Sequence, residues 1–286
     1  MITPIYSSLN TAPENSTPIV LMPIGGQATR AAATIGTALP KTLIELDNGL
    51  TVFDTICQGL QAQGFEKFVF CLGHLSEVII DHIKQDTWRI DRTVDYELSV
   101  ERIPLGVDGA ILQAISSLSL QGDGLVMPGD MLMPWQSAYD LSVAHQTNLA
   151  ANITLGVTSL VTEHTTDVGK FVSETASNRL IKCYGRNDAV PPQNAGMTAL
   201  TSAAVTAINL DGYSTLCAGY TLGPGASSQE RKLSLRDDIL PWAVADDSHA
   251  SHGIYVFDIK TEILDMGTAA GIAEGLSNWR HYVGNR

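Results

Sequence analysis

Short apolar runs alternate with amphipathic segments over the first 160 residues of the chain. Residues 19–22 and 68–73 form continuous apolar runs that end at or near glycine, as in strands buried on both faces of a parallel sheet. Between them, the apolar residues of segment 51–63 recur at helical spacing. Strands that alternate with helices in this way predict a doubly wound, Rossmann-like α/β sheet with right-handed crossovers.

The alternation continues to residue 161 and then changes character. Further strands are predicted at 96–100, 124–127 and 153–161, and further helices at 76–84, 109–118 and 135–148. Beyond residue 162 the pattern predicts shorter strands and turns, with strands at 170–174, 179–184, 196–200 and 253–258. We therefore predict one domain over residues 18–286, an α/β sheet with a small antiparallel insertion over its C-terminal edge. Residues 1–17, rich in Ser, Thr, Asn and Pro, predict a flexible leader.

The charge balance excludes one class of partner. Among the 286 residues, 17 Lys and Arg stand against 30 Asp and Glu, which gives a formal net charge of -13. Nucleic-acid-binding proteins carry the opposite balance, so we expect no nucleic-acid polymer as partner. No apolar run is long enough to cross a bilayer, and residues 1–17 lack the features of a signal peptide. The simplest expectation is therefore a cytoplasmic protein without a membrane partner. The four cysteines are scattered along the sequence, which predicts reduced thiols.

A glycine-rich turn follows the first predicted strand and carries the first candidate chemistry. Residues 25–30 read Gly-Gly-Gln-Ala-Thr-Arg, and Pro40-Lys41 follows a stretch rich in Ala and Thr. Glycines let backbone N–H groups approach phosphate oxygens, to which Arg30 and Lys41 would add positive charge. The spacings of the dinucleotide-binding motif and of the P-loop are both absent. By itself the turn fits an ordinary β–α connection with a surface arginine equally well.

Residues 23–30 with Pro40-Lys41 resemble the G-G-x-G-T-R…P-K signature of the sugar-1-phosphate nucleotidyltransferases. Within that family, the run 99–106 is most similar to the enzymes that transfer guanylyl groups to heptose or mannose 1-phosphate. Four later segments resemble the family's motifs in the same order, namely 104–110 (PLGVDGA), 126–130 (VMPGD), 194–197 (NAGM) and 264–268 (LDMGT). The resemblance implies the nucleotide-diphospho-sugar transferase type of fold. It also implies a reaction in which an NTP and a sugar 1-phosphate give an NDP-sugar and pyrophosphate.

The same resemblance assigns roles to individual residues. Arg30 would bind the β- and γ-phosphates, and Lys41 would stabilise negative charge at the α-phosphorus. Asp130 and Asp265 would hold Mg²⁺, which suits carboxylate and phosphate oxygens, and Asp130 counts with Arg30 and Lys41 as catalytic. The remaining nucleotide-binding positions are Gly25, Gly26, Gln27, Ala28, Thr29, Glu101, Gly106 and Gly109. The sugar-phosphate positions are Gly169, Arg186, Asn194 and Gly196, with Arg186 where the family has a lysine.

Glu101 suggests which base is bound. It lies three residues before Pro104, where the family places a side chain that reads the base edge. A carboxylate only accepts hydrogen bonds, so it matches the N1–H and N2–H donors of guanine and repels the carbonyl oxygens of uracil or thymine. GTP is therefore the favoured nucleotide. The alternatives are an exposed glutamate on an edge strand for Glu101, and a sugar contact or a helix cap for Asp108.

Three departures from the family pattern leave other functions open. Pro128 stands before Gly129-Asp130, where a polar residue is common. Ala28 replaces a glycine of the signature, and the E-K-P motif has no glutamate in the matching stretch 184–187. One alternative is a catalytically weak, regulatory protein that binds nucleotide sugars. Another is a related uridylyl-, thymidylyl- or cytidylyltransferase with a different acceptor. Retention of the catalytic and metal-binding residues favours an active enzyme, whose partners would be an NTP, a sugar 1-phosphate and further copies of itself in a homo-oligomer.

Overall fold

A mixed sheet runs through the centre of the protein. The computed structural model describes residues 17–26, 39–91, 93–160, 170–184, 197–221, 232–245 and 252–284. Its strands are β1 (Ile19–Pro23), β2 (Lys67–Leu72), β3 (Asp95–Val100), β4 (Asp123–Val126), β5 (Met131–Leu132), β6 (Ile153–Thr158), β7 (Lys170–Glu174), β8 (Leu180–Tyr184), β9 (Met197–Asn209), β10 (Ile254–Asp258) and β11 (Leu264–Asp265). Its α-helices are α1 (Val52–Gln61), α2 (Ser76–Ile83), α3 (Val107–Ser117), α4 (Trp135–Thr147), α5 (Leu210–Thr221), α6 (Leu240–Ala243) and α7 (Ala269–Val283).

The order of the strands is β10-β6-β9-β4-β1-β2-β3. Strands β4, β1, β2 and β3 are parallel neighbours, β10 and β6 form a second parallel pair, and β9 runs antiparallel between β4 and β6. The hairpin of β7 and β8 adds to the first half of β9. The predicted α/β fold, with helices wound around a mixed sheet and an antiparallel insertion, is confirmed.

The two faces of the sheet carry separate parts of the core. In β1, Val20 and Met22 pack against α1, α2, α4 and α7, whereas Ile19 and Leu21 face α3, α5 and α6. Successive side chains of a strand point to opposite faces, so a strand that is covered on both sides must be apolar at every position. This is why the buried strands are visible in the sequence as continuous apolar runs.

The second half of the chain departs from the predicted pattern. The strand predicted at 196–200 is the start of β9, which continues to Asn209 because its later residues pair with β4 and β6. Two helices, α5 and α7, lie where short strands and turns are predicted. The side chain of Thr268 starts α7 by accepting a hydrogen bond from Gly271 N at 3.0 Å. No helix in the described part of the chain is long and apolar enough to span a membrane.

Candidate functional site

A cavity of about 610 Å³ opens at the C-terminal ends of four parallel strands. The carboxyl ends of parallel strands meet at one edge of a sheet, so the residues that follow them converge there. Gly25 and Gly26 follow β1, Gly73 and His74 follow β2, Glu101 to Pro104 follow β3, and Pro128 to Asp130 follow β4. Segments distant in the sequence complete the wall with Pro40, Lys41, Thr42, Gly106, Val107 and Lys232.

Three charged groups meet at one corner of this cavity. Lys41 Nζ forms an ion pair with Asp130 Oδ2, and both side chains are partly buried. Asp265 Oδ1 accepts a hydrogen bond from Gly267 N at 2.6 Å. A Cβ atom built on Gly267 would lie 2.7 Å from Asp265 Oδ1, 3.1 Å from Asp130 Oδ2 and 3.3 Å from Lys41 Nζ. The missing side chain of Gly267 therefore leaves a space that two carboxylates and one ammonium group surround.

Short elements hold these charges in place. Strands β5 and β11 pair antiparallel, with Asp265 opposite Met131, and Met266 N donates to Asp130 O at 2.9 Å. Lys41 begins a single 3-10 turn, Lys41–Leu43, that is closed by a hydrogen bond from Leu43 N to Pro40 O. The geometry of the corner thus depends on backbone pairing between segments far apart in the chain.

The corner suits a hard divalent cation. Mg²⁺ in proteins commonly takes one or two carboxylates and fills its shell with substrate phosphates and water. Within the described residues, no group of three or more His, Cys, Asp and Glu side chains could hold a metal by itself. Asp130 and Asp265 face the open space beside Gly267, so these two carboxylates are the residues that could hold the ion.

Glu101 belongs to the opposite wall of the cavity. Its backbone N–H donates to Leu72 O at 2.9 Å, which extends the pairing of β2 with β3 by one residue. Its Oε2 accepts a hydrogen bond from Leu105 N at 2.9 Å. A Cβ atom on Gly73 would lie only 2.3 Å from Glu101 Oε1, so the carboxylate packs directly over this glycine. The side chain lies against the cavity wall and is held there by the backbone, unlike a glutamate on an exposed edge strand.

The turn before α3 packs against residues 232–235, which lie outside the central sheet. Gly106 has a φ of 81°, a left-handed conformation that favours glycine, and a Cβ atom there would lie 2.8 Å from Leu233 O. The buried Asp108 accepts hydrogen bonds from Tyr213 Oη at 2.7 Å and from Leu235 N at 2.6 Å. Burial raises the pKa of the Asp108 carboxyl above its ordinary value, although both hydrogen bonds act in the opposite direction. Asp108 therefore links α3 to residues 232–235 instead of contacting a sugar or capping the helix.

Solved structures show a similar arrangement of strands and helices. No protein family and no curated protein matches the sequence. HddC from Yersinia pseudotuberculosis complexed with GMP-PN superposes with a TM-score of 0.65 at 17% identity, covering 92% of this chain and 100% of that chain. The inositol-1-phosphate CTP transferase from T. maritima superposes with a TM-score of 0.68 at 16% identity, covering 95% and 99%. The chain has the nucleotidyltransferase fold.

In this nucleotidyltransferase fold, six of the residues singled out from the sequence line one cavity, namely Gly25, Gly26, Lys41, Glu101, Gly106 and Asp130. Asp265 is not part of the lining and lies beside Gly267, next to the lining residues Asp130 and Lys41. Gly109 lies within α3, packs against the Leu105 side chain and is not part of the cavity lining. The other predicted positions lie outside the described residues, namely Gln27, Ala28, Thr29, Arg30, Gly169, Arg186, Asn194 and Gly196.

The cavity of the nucleotidyltransferase fold also contains polar residues that the sequence motifs did not predict. Arg102 and Lys232 are cations, His74 follows β2, and the buried Oγ1 of Thr42 has no hydrogen-bond partner among the described residues. The scarcity of basic residues could have drawn attention to Arg102 and Lys232, because few cations are available for an anionic ligand in this chain. No feature of the sequence distinguishes Thr42 from the other threonines.

Cys71 is the one thiol among the residues that line this cavity. Burial, together with the negative charge of Glu101, raises the pKa of the Cys71 thiol to about 12. The thiol is therefore protonated near neutral pH, and only a thiolate is an effective nucleophile. The cavity therefore does not provide an activated cysteine.

Proposed function

We propose that the protein transfers a nucleotidyl group from an NTP to a sugar 1-phosphate, giving an NDP-sugar and pyrophosphate, with Mg²⁺ as cofactor. The observation that carries the proposal is the meeting of Lys41, Asp130 and Asp265 beside Gly267. These charges lie at the C-terminal edge of the sheet in a nucleotidyltransferase fold. A descendant that only bound nucleotide sugars would gain nothing by retaining two carboxylates next to a phosphate site.

The chemistry joins two anions, so it needs positioning and neutralisation of charge more than a covalent intermediate. An oxygen of the sugar phosphate attacks the α-phosphorus and forms a new P–O bond. The bond from that phosphorus to the bridging oxygen of the β-phosphate breaks, and pyrophosphate leaves with the electron pair. Lys41 donates to an oxygen of the α-phosphate, and the backbone of Gly25 and Gly26 approaches the phosphates closely. Mg²⁺, when held by Asp130 and Asp265, would neutralise phosphate oxygens and orient them.

Residues outside the described part of the chain complete the proposal through the sequence resemblance alone. Arg30 binds the β- and γ-phosphates that leave as pyrophosphate, in the turn that also contains Gln27, Ala28 and Thr29. Arg186 makes a bidentate contact with the phosphate of the sugar, because a guanidinium presents two parallel N–H donors. Gly169, Asn194 and Gly196 form the rest of that sugar-phosphate site.

GTP is the proposed nucleotide. Glu101 lies in the cavity wall with Oε2 held by Leu105 N and Oε1 over Gly73, and its acceptors match the two donors on the edge of guanine. HddC, which shares the fold, is known in complex with GMP-PN. Cytidylyl transfer is the second candidate, since the inositol-1-phosphate CTP transferase superposes equally well.

Pyrophosphate release tests the proposal directly. The protein is incubated with Mg²⁺, one of the four NTPs, and one of a panel that contains sugar 1-phosphates and inositol 1-phosphate. We expect release with GTP and at least one sugar 1-phosphate, and loss of release when EDTA removes the metal. CTP with inositol 1-phosphate as the best pair would favour the second candidate. Absence of release with every pair would contradict nucleotidyl transfer.

The carboxylate assignment is tested by Asp130→Asn, which keeps the size of the side chain and removes its charge. We expect turnover to fall by about two orders of magnitude or more, because the charge that orients the phosphates is lost. Asp81→Asn is the matched control, since Asp81 is an exposed residue paired with Lys84. Normal pyrophosphate release by Asp130→Asn would refute the assignment.

A further inference from the structure

Lys232 lines the nucleotide cavity beside the turn that precedes α3. A Cβ atom on Gly106 would lie 3.1 Å from Lys232 Cβ, so the lysine stem rests against this turn. The side chain is exposed toward the cavity, and no salt bridge joins it to a carboxylate within the described residues. Its ammonium group is therefore available to a ligand.

Two hydrogen bonds connect Glu101, through Leu105, to Leu233, the residue that follows Lys232. Glu101 Oε2 accepts from Leu105 N at 2.9 Å, and Leu105 O accepts from Leu233 N at 3.0 Å. Leu105 is thus held from both sides, by the carboxylate on one side and by the residue after Lys232 on the other. These contacts involve backbone atoms of Leu105 and Leu233. They therefore fix the distance between the segment of Glu101 and that of Lys232, whatever apolar side chains positions 105 and 233 carry.

Asp108 also holds the segment that contains Lys232. Its two carboxylate oxygens accept from Leu235 N and from Tyr213 Oη, so residues 232–235 are anchored both to α3 and to α5. The Asp108 side chain is almost completely buried, at 7% exposed, which excludes water from competing for these bonds. The backbone next to Lys232 is consequently held by the hydrogen bonds of Leu233 and Leu235, without an ion pair of the lysine.

We propose that Glu101 and Lys232 together read guanine, with Glu101 accepting from N1–H and N2–H and Lys232 donating to O6. This inference rests on the proposed nucleotidyl transfer. The Watson–Crick edge of guanine carries one acceptor next to two donors, which is the pattern that an ammonium group beside a carboxylate complements. A carboxylate has about four lone-pair sites, so the hydrogen bond from Leu105 N leaves acceptors for both guanine donors.

Two analogues of GTP separate the two contacts. In 6-thio-GTP a sulfur, which is a weak acceptor, replaces O6, whereas ITP lacks the 2-amino group and keeps O6. We measure kcat/KM for GTP, 6-thio-GTP and ITP with the wild type, Lys232→Met, Lys232→Arg and Glu101→Gln. Lys232→Met should lower kcat/KM for GTP about tenfold, mainly through KM, and abolish the preference for GTP over 6-thio-GTP. Lys232→Arg should restore the preference for GTP over 6-thio-GTP. Glu101→Gln should reduce only the preference for GTP over ITP.

Arg102→Met is the matched control, since Arg102 is a second exposed cation that lines the same cavity but has no part in the hydrogen-bonded chain. We expect this variant to change GTP and 6-thio-GTP alike. The inference is overturned if Lys232→Met keeps the wild-type preference, if Arg102→Met loses it instead, or if a pyrimidine nucleotide is the best substrate. In each of these cases pyrophosphate is still released by the wild type, so nucleotidyl transfer would stand. Absence of release with any nucleotide would overturn both proposals.

Discussion

At the scale of single residues, a small number of positions decide whether the charged corner can form. Lys41, Asp130 and Asp265 come from three separate segments and converge where Gly267 has no side chain. The charges are obvious in a sequence motif, whereas the space between them is not. The glycine at position 267 is recognisable as a spatial requirement only once the three side chains are placed around it.

Gly267→Ala tests this spatial requirement without removing any charge. The added methyl group would contact Asp265 Oδ1 and Asp130 Oδ2 closer than carbon and oxygen normally approach, so we expect both carboxylates to move. A displacement of about 1 Å in such a site can lower kcat about 100-fold. Steady-state kinetics measures the effect. Gly219→Ala, in α5, is the control and should leave kcat unchanged; an active Gly267→Ala variant would show that the space is not needed.

Sequence reasoning identified the cavity residues that belong to local motifs, such as Glu101 and Asp130. It did not identify Lys232, because its relation to Glu101 depends on the backbone hydrogen bond between Leu233 and Leu105, which are 128 residues apart in sequence. Spacing along the chain carries no information about such a contact. The role of Asp108 was missed for the same reason, since its partners Tyr213 and Leu235 are distant in sequence and contact it only in the folded protein.

At the scale of elements, the link between α3 and residues 232–235 predicts a dependence of stability on pH. Burial raises the pKa of Asp108 above its ordinary value of 3.8, so folding favours the protonated form. The contribution of Asp108 to the free energy of unfolding is therefore complete below that ordinary value and decreases as the pH rises through the raised pKa.

Urea unfolding of the wild type and of Asp108→Asn, measured at a series of pH values from about 4 upward, checks this prediction. The amide of asparagine does not titrate, so the free energy of unfolding of the wild type should fall relative to the variant as the pH rises. Asp211→Asn, at an exposed position of α5, should run parallel to the wild type. A constant difference between wild type and Asp108→Asn across the series would contradict the assigned direction of the shift.

The elements themselves were predictable only where burial leaves a pattern. Strands β1 and β2 are covered on both faces, so their apolar runs define them in the sequence. Strand β9 consists largely of Ala, Thr and Ser, whose mixed character gives neither an apolar run nor a clear alternation. Its length comes from pairing with three neighbouring strands, which is a tertiary effect.

At the scale of the whole molecule, the net charge of -13 opposes the approach of an anionic nucleotide. The positive side chains of the cavity act at short range, whereas repulsion from the rest of the surface acts over longer distances and is screened by salt. Moderate salt should therefore remove more repulsion than attraction.

We expect kcat/KM for the NTP to rise, by about twofold, between low ionic strength and about 0.1 M salt, where the Debye length is near 10 Å. The trend is the reverse of that of basic nucleic-acid-binding proteins, whose affinity falls with salt. Initial rates at NTP concentrations far below KM, with Mg²⁺ held constant, measure it. A steep fall of kcat/KM with salt would show that attraction within the cavity controls association.

The antiparallel strand β9 also sets the order in which the sheet can assemble during synthesis. Within the sheet, β9 joins the strands β4, β1, β2 and β3 to the pair of β6 and β10, so the sheet cannot be completed until residues 197–209 have left the ribosome. The carboxylate of Asp265 is added later still, when β11 pairs with β5. Pairings between such distant segments form slowly. A nascent chain therefore contains Gly25, Gly26 and Lys41 long before Asp265 joins Asp130, so the charged corner is complete only after the sheet is closed.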